Sequence, residues 1–251
     1  MDAFCGCKSL THVTFLPGSK LEKIRSGSFC CAWIENMVIP KSVTEIQRKA
    51  FYKCANLREV VLEAGSRLRT IDDGVFNQCS SLAKINLSDG LRTLGCEAFS
   101  WCEKLKNIQL PDGLEKIGVK CFAFSGLEEV SLPANVMEVS PSAFWGCKQL
   151  KSVRLNEGLE RLGVKEIVNG TQYEGQVFAY SAVESIRFPS TLKNIENGMF
   201  YGCKYLTSTE IPNGVERIGE YCFCQSLIRE IKFPKTLTQI DSNAFRNCQN
   251  L

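Results

Sequence analysis

The sequence predicts an α/β repeat solenoid of about eleven coils, stacked so that their short strands form one parallel sheet, with turns and short helical or 3-10 segments closing each coil. Three observations predict it. Phenylalanines stand at positions 4, 29, 51, 76, 99, 122, 144, 178, 200, 223 and 245, at spacings of 22 to 25 residues apart from one gap of 34. One pattern runs between them, F-x-x-C-x-x-L-x-x-[VI]-x-[LF]-P, as in "FWGCKQLKSVRL" from Phe144 and "FSWCEKLKNIQL" from Phe99. A unit of this length cannot bury its Leu, Val, Ile and Phe side chains by itself, so the copies must stack. Residues 1–251 read as a single domain.

Each part of the unit has a physical reading. The piece L-x-x-[VI]-x-[LF], as in Leu105, Ile108 and Leu110, alternates in and out like a half-buried strand. A proline usually stops it, as at Pro40, Pro111, Pro133, Pro189, Pro212 and Pro234, because proline cannot donate to a ladder. The return to the next phenylalanine carries apolar residues at three- to five-residue intervals and a small residue before Phe, such as Ala50, Ala98 or Ala143, which reads as turns and short helical segments. The long gap holds an insertion at residues 163–177, in which Asn169-Gly170 between "EIV" and "TQY" predicts a β-hairpin projecting from the solenoid and able to split the sheet.

Fourteen cysteines and one histidine raise three sharper possibilities: a metal site, a disulfide framework and a nucleophile. Seven cysteines lie three residues after the phenylalanine: Cys7, Cys54, Cys79, Cys102, Cys147, Cys203 and Cys248. In these copies the strand-opening residue follows three positions later, whereas in the copies with Ala32, Ser125, Ser181 or Ser226 it follows two later. Side-chain size thus varies with turn length, as packing residues do and catalytic thiols have no reason to. A file of thiols one coil apart is a line and not the tetrahedron zinc requires, and in-register side chains run parallel rather than toward each other. These seven are expected to be a buried structural ladder.

The spelling "LPDGLEKIG" followed by "CFAFSGLEEVSLP" resembles the BspA-like, treponemal-type class of leucine-rich repeats, and the resemblance covers the whole chain. It implies a right-handed coil with the sheet on the concave face, and a non-enzymatic module for protein–protein interaction that serves adhesion or attachment to host or neighbouring-cell components. The chain departs from the general leucine-rich pattern in lacking a regular asparagine after the strand, where Ser42, Gly113, Asn135, Thr191 and Gly214 stand instead.

Thirty basic and 27 acidic residues are interleaved along the chain, which fits nucleic acid poorly, and no run of 18 apolar residues could span a membrane. The start "MDAFCGCKSL" has no secretory signal, so the chain by itself reads as cytoplasmic, although the resembled family is often cell-surface or secreted. One histidine and scattered carboxylates give no catalytic constellation, and no cofactor motif is present. Two surfaces are candidates for binding. Outward positions of the strands include Val38, Val61, Arg154 and Arg187, on a face that is apolar at its N-terminal end and charged at its C-terminal end. The turn after the phenylalanine carries Trp101, Phe124, Trp145, Tyr180 and Tyr201, either folded over the core as a lid or exposed as anchors for a protein partner or an apolar small ligand. An apolar-ligand scaffold and an intracellular interaction protein are the alternatives to attachment.

Overall fold

The computed structural model describes residues 2–251 as stacked coils of parallel β-structure. Among them there is no helix, and none is therefore long and apolar enough to cross a membrane. The phenylalanines set the stack. Neighbouring rings lie 5.2–5.7 Å apart and within 5–19° of parallel from Phe4 to Phe245. The eight rings from Phe51 to Phe223 are fully buried.

Two rows of strands flank this ladder where one was expected. The first row uses the predicted piece, in strands such as Asn36–Ile39, Glu59–Leu62, Ser152–Arg154 and Ser185–Arg187. The second row lies in the return segment and consists of two-residue strands, among them Glu45–Ile46, Lys116–Ile117 and Arg217–Ile218. Except in the last, Gln239–Ile240, where both side chains are exposed, each turns one side chain outward and buries the other, so Ile46, Ile117 and Ile218 pack inward. Cross-coil ion pairs such as Lys23–Glu45 at 2.8 Å and Lys116–Glu138 at 2.9 Å border it, each worth only a few tenths of a kcal/mol to about 1 kcal/mol.

The expected helical segments are absent for a reason set around each phenylalanine. The residues two before and two after all eleven rings have φ between 53° and 71°, whether they are Gly, Lys, Glu, Trp or Tyr. A right-handed helix cannot run through two left-handed residues four positions apart. Alternation satisfies the backbone instead: the amides of Lys49, Phe51 and Lys53 donate to Asp73, Val75 and Asn77 of the next coil, while those of Ala50, Tyr52 and Cys54 donate three residues back within their own coil. The strain of placing side-chain-bearing residues at positive φ, about 1 to 2 kcal/mol each, is thus offset by inter-coil hydrogen bonds.

Eleven phenylalanines bound about nine turns rather than eleven. The first unit has only an isolated bridge, His12 to Asn36, in the first row, and the last consists of residues 245–251. The insertion forms an antiparallel hairpin of Glu166–Val168 and Thr171–Tyr173 around Asn169 and Gly170, both at positive φ. It leans back on earlier coils through Lys116–Glu166 at 3.2 Å and through Lys120, 5.0 Å from the Tyr173 ring. The second row is divided there, into seven strands and three. The first row passes the insertion unbroken, pairing Arg154 directly with Arg187, and is interrupted instead at residues 105–110, where no strand forms.

Candidate functional site

The cysteine ladder belongs to the core. Cys54, Cys79, Cys102, Cys147 and Cys203 have no exposed surface, and Cys7 and Cys248 are half-buried. From Cys54 onward the thiols share one contact: Cys54 donates to the carbonyl of Phe29 at 2.9 Å, Cys147 to that of Phe122 at 3.0 Å and Cys203 to that of Phe178 at 3.0 Å. The carbonyls of Phe29, Phe51, Phe76, Phe122, Phe178 and Phe223 therefore accept both from the amide three residues on and from the thiol of the next coil, which ties each turn to its neighbour. Burial pushes the Cys147 thiol up to about 11 and the Cys203 thiol to about 12, opposite to what a nucleophile needs. Among the described residues no group of three or more Cys, His, Asp or Glu side chains could hold a metal ion.

The strand face and the aromatic edge lie on different parts of the coil. On the first, Val38 and Val61 are in register, with Val38 about half exposed. Arg154 and Arg187 are adjacent and exposed, in register with Ser131 on one side and Glu210 on the other. On this face Lys84 pairs with Glu59 at 2.7 Å, and just before the strands Lys106–Glu128 at 2.8 Å and Lys151–Glu184 at 3.3 Å match opposite charges between neighbouring coils. The two arginines instead set like charges side by side, which is unfavourable across a ladder, and neither makes an ion pair among the described residues. A groove of about 580 Å³ opens beside Arg154 over the interrupted coil, lined by Asn107, Gln109, Ser131 and Ser152.

The five aromatic residues form a continuous edge but occupy two columns of the repeat. Trp101, Phe124 and Tyr180 stand two residues after the ladder phenylalanine, at φ near 60°, whereas Trp145 and Tyr201 stand one residue after it. Trp101 stacks on Phe124 at 4.0 Å and 22°, and the remaining neighbours meet edge to face out to Tyr201. Trp101 and Tyr180 are exposed, while Phe124, Trp145 and Tyr201 are half-buried. Where Trp145 and Tyr201 take the first column, glycine takes the second. A Cβ on Gly146 would lie 2.7 Å from the Phe124 ring, and one on Gly202 would lie 2.8 Å from Tyr180. The aromatic of one coil thus covers the bare backbone of the next. Gly202→Ala should cost about 1 to 3 kcal/mol, whereas Gly90→Ala, where the added carbon meets nothing nearer than 3.7 Å, should change stability by no more than about 0.5 kcal/mol; urea titration of both variants compares them.

Tyr221 extends this edge, 6.4 Å from Tyr201. It was not among the expected residues because it lies two residues before its phenylalanine, in a column that elsewhere holds glycine or a polar residue and no other aromatic.

The family profile described as "BspA type Leucine rich repeat region" matches the chain in six copies, over residues 1–82, 69–173 and 171–251. Among solved structures, the chain is similar to the pneumococcal vaccine antigen PcpA, with 27% identity and a TM-score of 0.65 over 86% of this chain and 57% of that one. It is also similar to a leucine-rich repeat protein of T. pallidum, with 30% identity over 76% of each chain and a TM-score of 0.54. A leucine-rich repeat protein from Bacteroides ovatus shares the fold at 21% identity and a TM-score of 0.55, over 92% of this chain and 81% of that one. Comparison with curated proteins gives no match.

Proposed function

This chain belongs to the BspA-type leucine-rich repeat family, a class of interaction modules with no catalytic family indicated, and on that premise we propose that its protein partner docks on the outward face of the first strand row. The observation that carries the reading is the adjacent arginine pair. Arg154 and Arg187 are exposed, adjacent across the ladder and without an ion pair among the described residues, and Arg154 borders a groove. Two like charges held together gain most from an acidic group on a partner, which removes their repulsion and adds charge-assisted hydrogen bonds. Val38 and Val61 offer an apolar contact at the other end of the row. Adhesion or attachment to host or neighbouring-cell components is the role we assign to such a surface.

Charge reversal tests it. Arg154→Glu with Arg187→Glu should leave the thermal midpoint within a few degrees of the parent, since both side chains are exposed, and should weaken a captured protein partner by at least about tenfold. A partner held equally by parent and variant would place docking elsewhere. Antibody labelling of intact source cells distinguishes attachment, which requires surface exposure, from an intracellular role.

A further inference from the structure

We infer a second binding site on the aromatic edge, a groove whose chemistry fits a neutral oligosaccharide. It occupies about 740 Å³ between Trp145 and Tyr221, where the hairpin segment returns to the solenoid. It is distinct from the strand face proposed for the protein partner, and the two can be tested separately.

One wall is aromatic. The Tyr180 ring lies against the backbone of Gly202 and is 46% exposed. Trp145 and Tyr201 stand edge-on to it at 6.1 and 5.2 Å, and Tyr221 continues the wall. The hydroxyl of Tyr201 accepts from Gln225 at 3.1 Å, which fixes that ring.

The rest of the lining is polar. Asn197 organises it: its Oδ1 accepts from the Glu220 amide at 2.8 Å and from Arg217 at 3.1 Å, and its Nδ2 donates to Glu174 at 3.1 Å. The carboxylate of Glu174 is thereby held toward the groove it lines, with Gln176, Glu220 and Arg246 beside it. Carboxylates, amides and guanidinium groups each present paired acceptors or donors in a plane.

This composition selects among ligand classes. An apolar ligand would strip water from Glu174, Glu220 and Arg246 without replacing it, which is unfavourable. An anion would meet two carboxylates against one guanidinium. A saccharide has apolar C–H faces that lie on aromatic rings and adjacent hydroxyls that bond to planar polar groups, and it carries no charge that the acidic wall would repel.

The test uses the intact chain in affinity electrophoresis through gels containing laminarin, xylan, mannan or dextran, and on an array of neutral, sialylated and sulfated glycans. Retention on at least one neutral glycan is expected. It should fall by at least about tenfold in Tyr180→Ala, should persist within about threefold in Tyr180→Phe, which keeps the ring, and should be unchanged in Arg154→Glu/Arg187→Glu. Tyr180 is 46% exposed and covers Gly202, so Tyr180→Phe should melt with the parent and Tyr180→Ala about a few degrees lower but fully folded at the assay temperature, which circular dichroism verifies. No retention of the folded parent on any neutral glycan, retention confined to sialylated or sulfated glycans, or retention that survives Tyr180→Ala would each overturn the inference. Loss of the protein partner in the arginine variant would leave it untouched.

Discussion

Phe99→Ala should lower the free energy of unfolding by about 3 to 5 kcal/mol, against roughly 1 kcal/mol or less for Phe4→Ala. Phe99 is fully buried between Phe76 and Phe122, each 5.4 Å away, so truncation removes two stacked contacts and leaves a cavity inside the ladder. The surroundings cannot collapse into it, because the coil is bonded in register to the next one by Phe99 N to Cys121 O at 2.8 Å and Trp101 N to Ala123 O at 2.9 Å. Phe4 is 44% exposed and stacks on Phe29 alone. In a stack whose stability is a sum over nearest-neighbour interfaces, the loss depends on how many interfaces a residue completes. Urea unfolding of the two variants measures this directly. Equal losses at Phe4 and Phe99 would show that completing a second interface of the ladder adds nothing.

The contrast between those residues also marks what could be read from the chain. The ladder and the first strand row were legible because both rest on strict spacing: a ring every 22 to 25 residues and a two-residue alternation before proline. The second row was not, since a two-residue strand such as Thr93–Leu94 is too short to show alternation and its apolar residue falls at helix-like intervals from its neighbours. Nor were the left-handed positions, because Lys49, Glu97, Trp101 and Phe124 are residue types that seldom adopt them. A signal did exist. Aligned by phenylalanine, Gly27, Gly74 and Gly198 fall in one of those columns and Gly6, Gly146 and Gly202 in the other, and shared columns imply a shared conformation. The aromatic edge was visible by residue type, whereas the polar lining of its groove was not. Glu174 comes from the end of the insertion and Asn197 and Glu220 from successive later coils, so only the three-dimensional return of the hairpin brings them together.

The buried thiols make stability depend on alkaline pH. Below about pH 9, the ordinary value for a cysteine, the thiols are protonated in folded and unfolded chains alike and their contribution is fully present. Between pH 9 and 11 the unfolded chain loses the proton at Cys147 while the folded chain keeps it, because burial raises that thiol to about 11; Cys203 behaves alike up to about 12. The folded state then binds more protons than the unfolded one, and stability must fall as pH rises. At about 1.4 kcal/mol per pH unit, each of the two thiols should remove about 2 to 3 kcal/mol by pH 11. Together they reach about 5 kcal/mol, the whole stability of a marginal domain. Cys79, Cys121 and Cys222, also fully buried and raised, act in the same direction. Urea midpoints measured under reductant from pH 8 to 11 should therefore fall steeply for the parent. Cys147→Ser/Cys203→Ser should be weaker at pH 8, with its own midpoint falling less steeply, since a hydroxyl does not titrate in this range and the lysine and tyrosine background is common to both proteins. Parallel slopes for parent and variant would mean that these two thiols ionise in the folded chain as readily as in the unfolded one, against the expectation from their full burial beside the Phe122 and Phe178 carbonyls, and would overturn this account.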